Sequence, residues 1–223
     1  MKGDTRSTGK PPRGMAADDT NDGSGGRRER IMEATAAVLL ERGYAAASTR
    51  EIASRAKVSK RELYTLFGNK QGILSAMIAE RSARMWQPLT LPNVSDRATF
   101  EATLTRFGAS MLKEICDPSV VAMHRLAILE AERSPELART LDDNGRNANH
   151  AALIAFLRQV HDAGLIGGAE PATMAARFFS ILVGDVLLRL IMGVSAPPSV
   201  REIARRADTA TAAILTLYAR EGA

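Results

Sequence analysis

A chain of 223 residues, rich in alanine and only 4% aromatic, has room for a small domain and a larger one, and no clear alternating apolar pattern marks a strand. Its single cysteine, Cys116, excludes an internal disulfide and suits a reducing, cytoplasmic setting. The formal net charge of +5 falls entirely within residues 27–70, which hold ten basic and five acidic side chains, while the segments on either side are balanced.

In chain order, residues 1–26 are rich in Gly, Ser, Asp, Pro and Arg and contain no apolar run, which predicts a disordered tail. The missing hydrophobic segment also argues against a secretory signal peptide. A passive tail is preferred over a minor-groove arm built on Arg6, Lys10 and Arg13.

Residues 48–67 predict two short helices meeting at a sharp corner. Ser48 is placed to cap the first, with Glu51 three residues on to complete a capping box, and Ser59 with Glu62 repeats the arrangement for the second. Ile52, Ala53 and Ala56 share one side of the first helix, with small side chains where the helices must approach closely. Val58, Leu63 and Phe67 form the buried side of the second, which leaves Lys60, Arg61, Tyr64 and Thr65 pointing outward. Gly68 then stops the helix and Asn69 caps another that begins at Lys70. Such a pair is a helix-turn-helix, and its second helix is sized for the DNA major groove. A basic run alone reads as a solvated face; coinciding with this pattern, it reads as a footprint for phosphate.

These residues, preceded by Arg27-Arg-Glu-Arg-Ile-Met-Glu-Ala-Thr-Ala-Ala-Val-Leu-Leu-Glu-Arg-Gly-Tyr44 and followed by Asn69-Lys70, resemble the TetR family of one-component bacterial repressors. Two positions depart from the family pattern. Lys57 stands where the turn normally carries glycine, which implies a left-handed non-glycine residue at a cost of roughly 1 kcal/mol. Arg61 replaces a residue that is often small, which implies a different operator preference. The resemblance implies phosphate contacts by Tyr64 and Lys70, with Lys60 and Arg61 at the groove and Arg50 and Ser59 on the same DNA-facing surface. Thr49 would hold phosphate through its hydroxyl and backbone amide, and is equally placed to serve the helix cap. Tyr64 has packing on the preceding helix as its alternative, and the spacing of Glu62 to Ser59 favours a capping role over base reading.

Beyond residue 70 helix breakers divide the chain. A helix runs from Lys70 to about Trp86, before Pro88 and Pro92. Others cover Asp96–Ile115, Val120–Arg133, and Ser134 to about Ala163 with a break near Gly145. The last two are Pro171–Met192 and Ser199–Arg220. The expected class is all-α, with a tail over 1–26, an N-terminal three-helix helix-turn-helix domain over 27–87 (the motif itself about 50–69), and a helical effector-binding and dimerisation domain over 88–223. The stretch His124-Arg-Leu-Ala-Ile-Leu-Glu-Ala-Glu-Arg-Ser-Pro-Glu-Leu-Ala138 resembles the AefR-like subgroup of the family's C-terminal domains.

The apolar run Phe178–Met192 is shorter than the roughly 20 residues that span a bilayer. Asp185 and Arg189 interrupt it, four apart and able to pair along a helix, so no membrane role is expected. With Ile203, Ala207, Ile214 and Leu217 of the last helix it reads instead as a subunit interface. The resemblance implies a homodimer in which the last two helices of each subunit form a four-helix bundle.

Cys116, His124, His150 and His161, with Glu130, Asp162 and Asp185, are the chemically capable side chains outside the helix-turn-helix, but no HExxH, phosphate loop, paired-cysteine or nucleophile-elbow motif joins them. Neither an enzyme, a metal site nor a cofactor is expected. A pocket lined by Phe107, Met111, Met123, His124, Phe156 and Arg177 is expected to take a largely apolar molecule, because methionine suits an adaptable apolar site. The competing reading of these positions is plain helical core. The resulting expectation is a cytoplasmic, nucleoid-associated, dimeric repressor released from operator DNA by a small-molecule effector. The alternatives are a TetR-like DNA-binding protein with an architectural or protein-partner role and, behind it, a helical enzyme or metal-binding protein.

Overall fold

The computed structural model describes residues 20–90 and 94–218, and among them there is no β-strand. The first four helices are α1 (Thr20–Ala46), α2 (Thr49–Ala56), α3 (Lys60–Phe67) and α4 (Lys70–Trp86), the last running into a 3₁₀ turn at Gln87–Thr90. The remainder are α5 (Arg97–Ile115), α6 (Pro118–Leu129), α7 (Pro135–Leu141), α8 (Ala148–Asp162), α9 (Pro171–Val183), α10 (Val186–Ile191) and α11 (Val200–Tyr218), with a π-helical turn at Asp142–Asn147 between α7 and α8.

Most boundaries fall at a capping residue. Asn69 accepts a hydrogen bond from the Gly72 amide to start α4, and Asp96 accepts one from the Thr99 amide to start α5. Several boundaries differ from the sequence expectation. Helix α1 begins at Thr20, inside the segment expected to be a disordered tail, and its helical geometry breaks at Gly43 (φ 78°, ψ 168°); Arg6, Lys10 and Arg13 lie outside the described residues. Helix α6 starts at Pro118 rather than Val120, because proline fits the first turn and Asp117 accepts from the Ser119 amide, and it ends at Leu129, short of Arg133. The expected break near Gly145 is a π turn. The expected helix Pro171–Met192 is two helices, because Gly184 adopts φ 49°, ψ −125° and Asp185 takes the cap position of α10. The Asp185–Arg189 pair does form, at 4.0 Å.

Two apolar cores result. The first gathers Ile31, Val38 and Leu39 of α1, Ile52, Ala53 and Ala56 of α2, Leu63 of α3, and Ile73 and Leu74 of α4, and extends to Met123, Ala127 and Leu137 of α6 and α7. The second is built from α5, α8, α9 and α11 around fully buried Phe100, Phe107 and Phe178. Phe107 stacks on Phe178 with ring centres 6.0 Å apart and meets Phe179 edge-on at the same distance. A Cβ on Gly108 would lie 3.2–3.3 Å from Leu182, Phe178 and Ala207, so glycine lets α5 pack directly on α9 and α11. Helix α4 belongs to both cores: Ile73 and Leu74 enter the first, Met85 the second.

Candidate nucleic-acid interface and internal cavity

The helix-turn-helix is fixed by short-range hydrogen bonds. Ser48 Oγ accepts from the Glu51 amide at 3.2 Å. Only this half of the expected first capping box forms, because the Glu51 carboxylate is drawn to Arg55 (2.8 Å) and Arg42 (3.6 Å). The second box is complete. Ser59 Oγ accepts from the Glu62 amide, while Glu62 Oε2 accepts from the Ser59 amide and hydroxyl, both at 2.8 Å. These two bonds hold the Glu62 carboxyl below its ordinary pKa and occupy the group, so it serves as a cap rather than a base reader. Between the helices Lys57 adopts φ 53°, ψ 46°, the left-handed conformation implied by its position, and it is the one non-glycine residue with positive φ among the described residues. Its amide contributes by donating to the Ser54 carbonyl at 3.2 Å.

The following corner depends on a residue whose role was not read from the sequence. A Cβ on Gly72 would sit 1.9 Å from the Phe67 carbonyl oxygen, so the turn from α3 into α4 closes only on glycine. Gly68 itself has φ 76° but ψ −56°, a positive-φ stop outside the regular left-handed well. Arg30 Nε donates to the Ala56 carbonyl at 3.3 Å, and the Arg28 guanidinium lies 4.7 Å from the centre of the Phe67 ring, so α1 clamps the end of each helix of the motif.

The ten basic residues of 27–70 separate by partner. Arg27, Arg28, Arg42 and Arg55 each face a carboxylate, and Arg55 forks onto both oxygens of Glu41 at 2.7 and 2.6 Å. Arg50, Lys57, Lys60 and Arg61 are exposed and have no acidic partner among the described residues. Ser59 is exposed beside them, and Tyr64 is 45% exposed with its hydroxyl 3.2 Å from Thr49 Oγ1. Thr49 and Tyr64 therefore tie the outer faces of α2 and α3 together. Lys70 is placed differently. Its Nζ donates to the Tyr44 carbonyl at 2.6 Å and lies 4.1 Å from the centre of the Tyr44 ring. Burial there lowers the Lys70 pKa, against the opposing pull of Glu136 and Glu130.

A cavity of about 470 Å³ opens where the two cores meet. Its wall takes Met77, Ile78, Arg81, Ser82 and Met85 from α4, with further side chains from α1, α5, α6, α8, α9 and α10. Three of the six expected lining residues are present: Met111, Met123 and His124. Phe107 and Phe156 instead pack within the second core, and Arg177 is exposed on α9 and hydrogen-bonds the Tyr218 hydroxyl. Each of the six residues does lie on a helix, but the expected rotation of three of them was not met. Residues 78, 81, 82 and 85 form one stripe along α4, a periodic signal that could have been read.

The polar groups of the wall are largely engaged. Arg81 reaches Asp117 at 3.4 Å, Glu114 at 3.5 Å and Ser119 Oγ at 2.9 Å, and Arg146 faces Asp142 at 3.7 Å. His124 Nδ1 lies 2.9 Å from the Val120 carbonyl, which fixes that nitrogen as the donor. His150 stacks on Phe179 at 4.0 Å, and burial together with nearby Arg146 lowers its pKa. Among the described residues no helix is long and apolar enough to cross a membrane, and no cluster of His, Cys, Asp and Glu has metal-site geometry.

Comparisons with known proteins agree with this architecture. Residues 31–77 match the model of the bacterial regulatory proteins of the TetR family, and residues 102–220 match that of the AefR-like transcriptional repressor C-terminal domain. A Bacillus subtilis (strain 168) protein named uncharacterized HTH-type transcriptional regulator YvkB is 26% identical over 74% of this chain and 84% of its own length. A TetR transcriptional regulator of Agrobacterium tumefaciens superposes with a TM-score of 0.70 at 26% identity, covering 87% of this chain and 95% of that one. The flavonoid-responsive regulator FrrA does so with a TM-score of 0.68 at 25% identity, over 89% of this chain and 100% of its own. With one model matched over the helix-turn-helix and the other over the helical C-terminal bundle, more than half of the chain, the chain belongs to the TetR family of DNA-binding transcriptional regulators.

Proposed function

We propose that this protein is a homodimeric repressor that leaves its operator when a small molecule fills the cavity between its two cores. In this reading residues 27–87 carry DNA recognition and 88–223 carry effector binding and dimerisation. The carrying observation is the cavity wall on α4, the helix whose first turns support α3 and whose last turns enter the C-terminal core. A molecule in that space bears on α4 and through it on the spacing of two recognition helices. The similarity to a regulator named for its response to flavonoids supports a small, largely apolar effector. Arg50, Lys60, Arg61 and Tyr64, with Thr49 and Ser59, form the DNA-facing surface. Lys70 joins that surface as a phosphate contact through the two N–H donors its ammonium has left beside the Tyr44 carbonyl.

Dimerisation is supported by the apolar side chains left exposed near the C-terminal end, among them Ile181, Leu188 (59% exposed), Met192 and Leu217 (56%). Leu187, their neighbour, lines the cavity instead. Leu188→Glu or Leu217→Glu should therefore give monomers by sedimentation and abolish tight operator binding, since two half-sites roughly 34–36 Å apart, or a multiple of that, need two linked recognition helices. The operator itself is found by selecting bound fragments from genomic DNA. On that operator Lys60→Ala should reduce the salt slope by about one unit, the signature of a lost phosphate contact. A wild-type chain that sediments as a monomer while binding a palindrome tightly overturns the dimer. Binding without sequence preference favours an architectural role.

A further inference from the structure

Asn149 lines the cavity, and one of its polar atoms has no partner. Asn149, 2% exposed at the start of α8, donates through Nδ2 to the Gly145 carbonyl and to Ser82 Oγ, both at 2.8 Å, and to Met85 Sδ at 3.3 Å. The Gly145 carbonyl can only accept, so the amide orientation is determined and Oδ1 is the opposite end. That oxygen is shielded from solvent and has no hydrogen-bond partner, alone among the buried side-chain polar atoms of the described residues. A buried acceptor left unpaired is destabilising, and a hydrophobic residue of similar size would avoid that penalty.

The charges around it narrow what can satisfy it. No carboxylate lines the cavity, and its two guanidinium groups, Arg81 and Arg146, already face carboxylates. The rest of the wall is mainly apolar, with methionines 77, 85, 111 and 123 among its side chains. A cationic ligand would find no carboxylate in this wall, and an anionic one would lose its hydration with only two histidines left to face it, His124 and His150, the second held toward its neutral form by burial and Arg146.

We propose that the effector is an uncharged, largely apolar molecule bearing a hydroxyl that donates a hydrogen bond to Asn149 Oδ1. This deepens the effector reading of the cavity and rests on it. The same amide grips Ser82 and Met85, so the bond is made on the residue that already fastens the start of α8 to α4. Because Oδ1 is shielded, the bond forms only as the amide turns that oxygen toward the cavity, and this turn acts directly on that fastening.

The test compares matched probes by calorimetry on the full-length protein. One series is 2-naphthol, 2-fluoronaphthalene and 2-naphthoate; the other is 1-decanol, 1-fluorodecane and decanoate. In at least one series the hydroxyl compound should bind about tenfold more tightly than its fluoro counterpart, which is about 1.4 kcal/mol, and the carboxylate should bind most weakly. The series that shows this distinguishes a phenolic from an aliphatic source of the hydroxyl. Asn149→Leu should bring the hydroxyl and fluoro compounds together, whereas Ser82→Ala, which leaves Oδ1 in place, should keep them apart. The wild-type comparison stands even where Asn149→Leu does not fold. Equal binding of hydroxyl and fluoro probes, or a preference for the carboxylate, overturns the donor assignment while leaving a cavity that binds ligand. A preference lost in Ser82→Ala and kept in Asn149→Leu moves the acceptor to Ser82 and equally overturns it. No binding in either series removes the effector reading together with this one.

Discussion

The two cores are held by different means. The DNA-facing core relies on α2 and α3, eight residues each and too short to persist alone. Each is bounded by a capping serine, a fixed left-handed or positive-φ stop and one face of small or buried residues. The C-terminal core relies on long helices joined by contacts far apart in sequence. The bond from Thr105 Oγ1 to Thr211 Oγ1 across α5 and α11, at 3.1 Å, is one example, and the cluster of Phe107, Phe178 and Phe179 is another. The first core is specified locally, the second by long-range packing, and the cavity opens between them.

The largest test of that contrast is a truncation in each core. Phe107→Ala should destabilise the C-terminal bundle by about 3–5 kcal/mol and Leu63→Ala the helix-turn-helix by about 2–5 kcal/mol. Amide exchange should show the second loss confined to α2 and α3 with the bundle still protected. Uniform loss of protection in both variants would mean that the two cores unfold as one unit.

Next in size is Gly72→Ala. Helix propensity alone favours alanine there by about 1 kcal/mol, but the new Cβ would meet the Phe67 carbonyl oxygen. The backbone clash should win, destabilising by about 1–3 kcal/mol and weakening operator binding. A variant with a higher Tm would show that the α3–α4 corner relaxes freely.

The smallest effect is a pH dependence. Glu62 and Asp96 are each held below their ordinary pKa, Glu62 chiefly by the Ser59 amide and Asp96 chiefly by the Thr99 amide. A carboxylate with a depressed folded-state pKa contributes stability that is complete above its unfolded value, 4.5 for Glu62 and 3.8 for Asp96, and is lost as pH falls through the folded value. Acidification should therefore fray α3, with eight residues, while α5, with nineteen and a phenylalanine-rich buried face, stays formed. Glu62→Gln should remove the acid sensitivity of α3 amide exchange. Equal fraying of both helices would contradict the contrast.

What could be read in advance follows the same division. Most of the helix-turn-helix was legible because caps, small contact residues and the Lys57 turn act within a few positions of one another; the Glu51 half of the first capping box and the corner glycine Gly72 were not. The Tyr44 carbonyl that takes one donor of the Lys70 ammonium was not legible, since nothing near Lys70 in sequence shows it. In the C-terminal half the helices were legible from Pro, Gly and Asp breakers, but Gly184 was read through because it lies inside the apolar run and Asp185 beside it was read as the helical partner of Arg189 rather than as a cap. Phe107 and Phe156 were assigned to the pocket because sequence periodicity fixes which residues share a face and leaves open which neighbour that face meets. Asn149 carries no local signal. Its significance appears only once Ser82, Met85 and Gly145 have been brought around its amide.

A helix that lends side chains to two cores cannot transmit in one direction alone. On the proposed function, whatever factor the effector takes from operator affinity, bound operator takes from effector affinity, because the two differences close one thermodynamic cycle. Each occupied operator then becomes a weaker sink for the inducing molecule than free protein is. Free protein in excess of operators would bind effector first, and derepression would begin only as that reserve fills. The concentration at which a promoter responds would be set by how much unbound repressor is present as well as by the chemistry of the cavity.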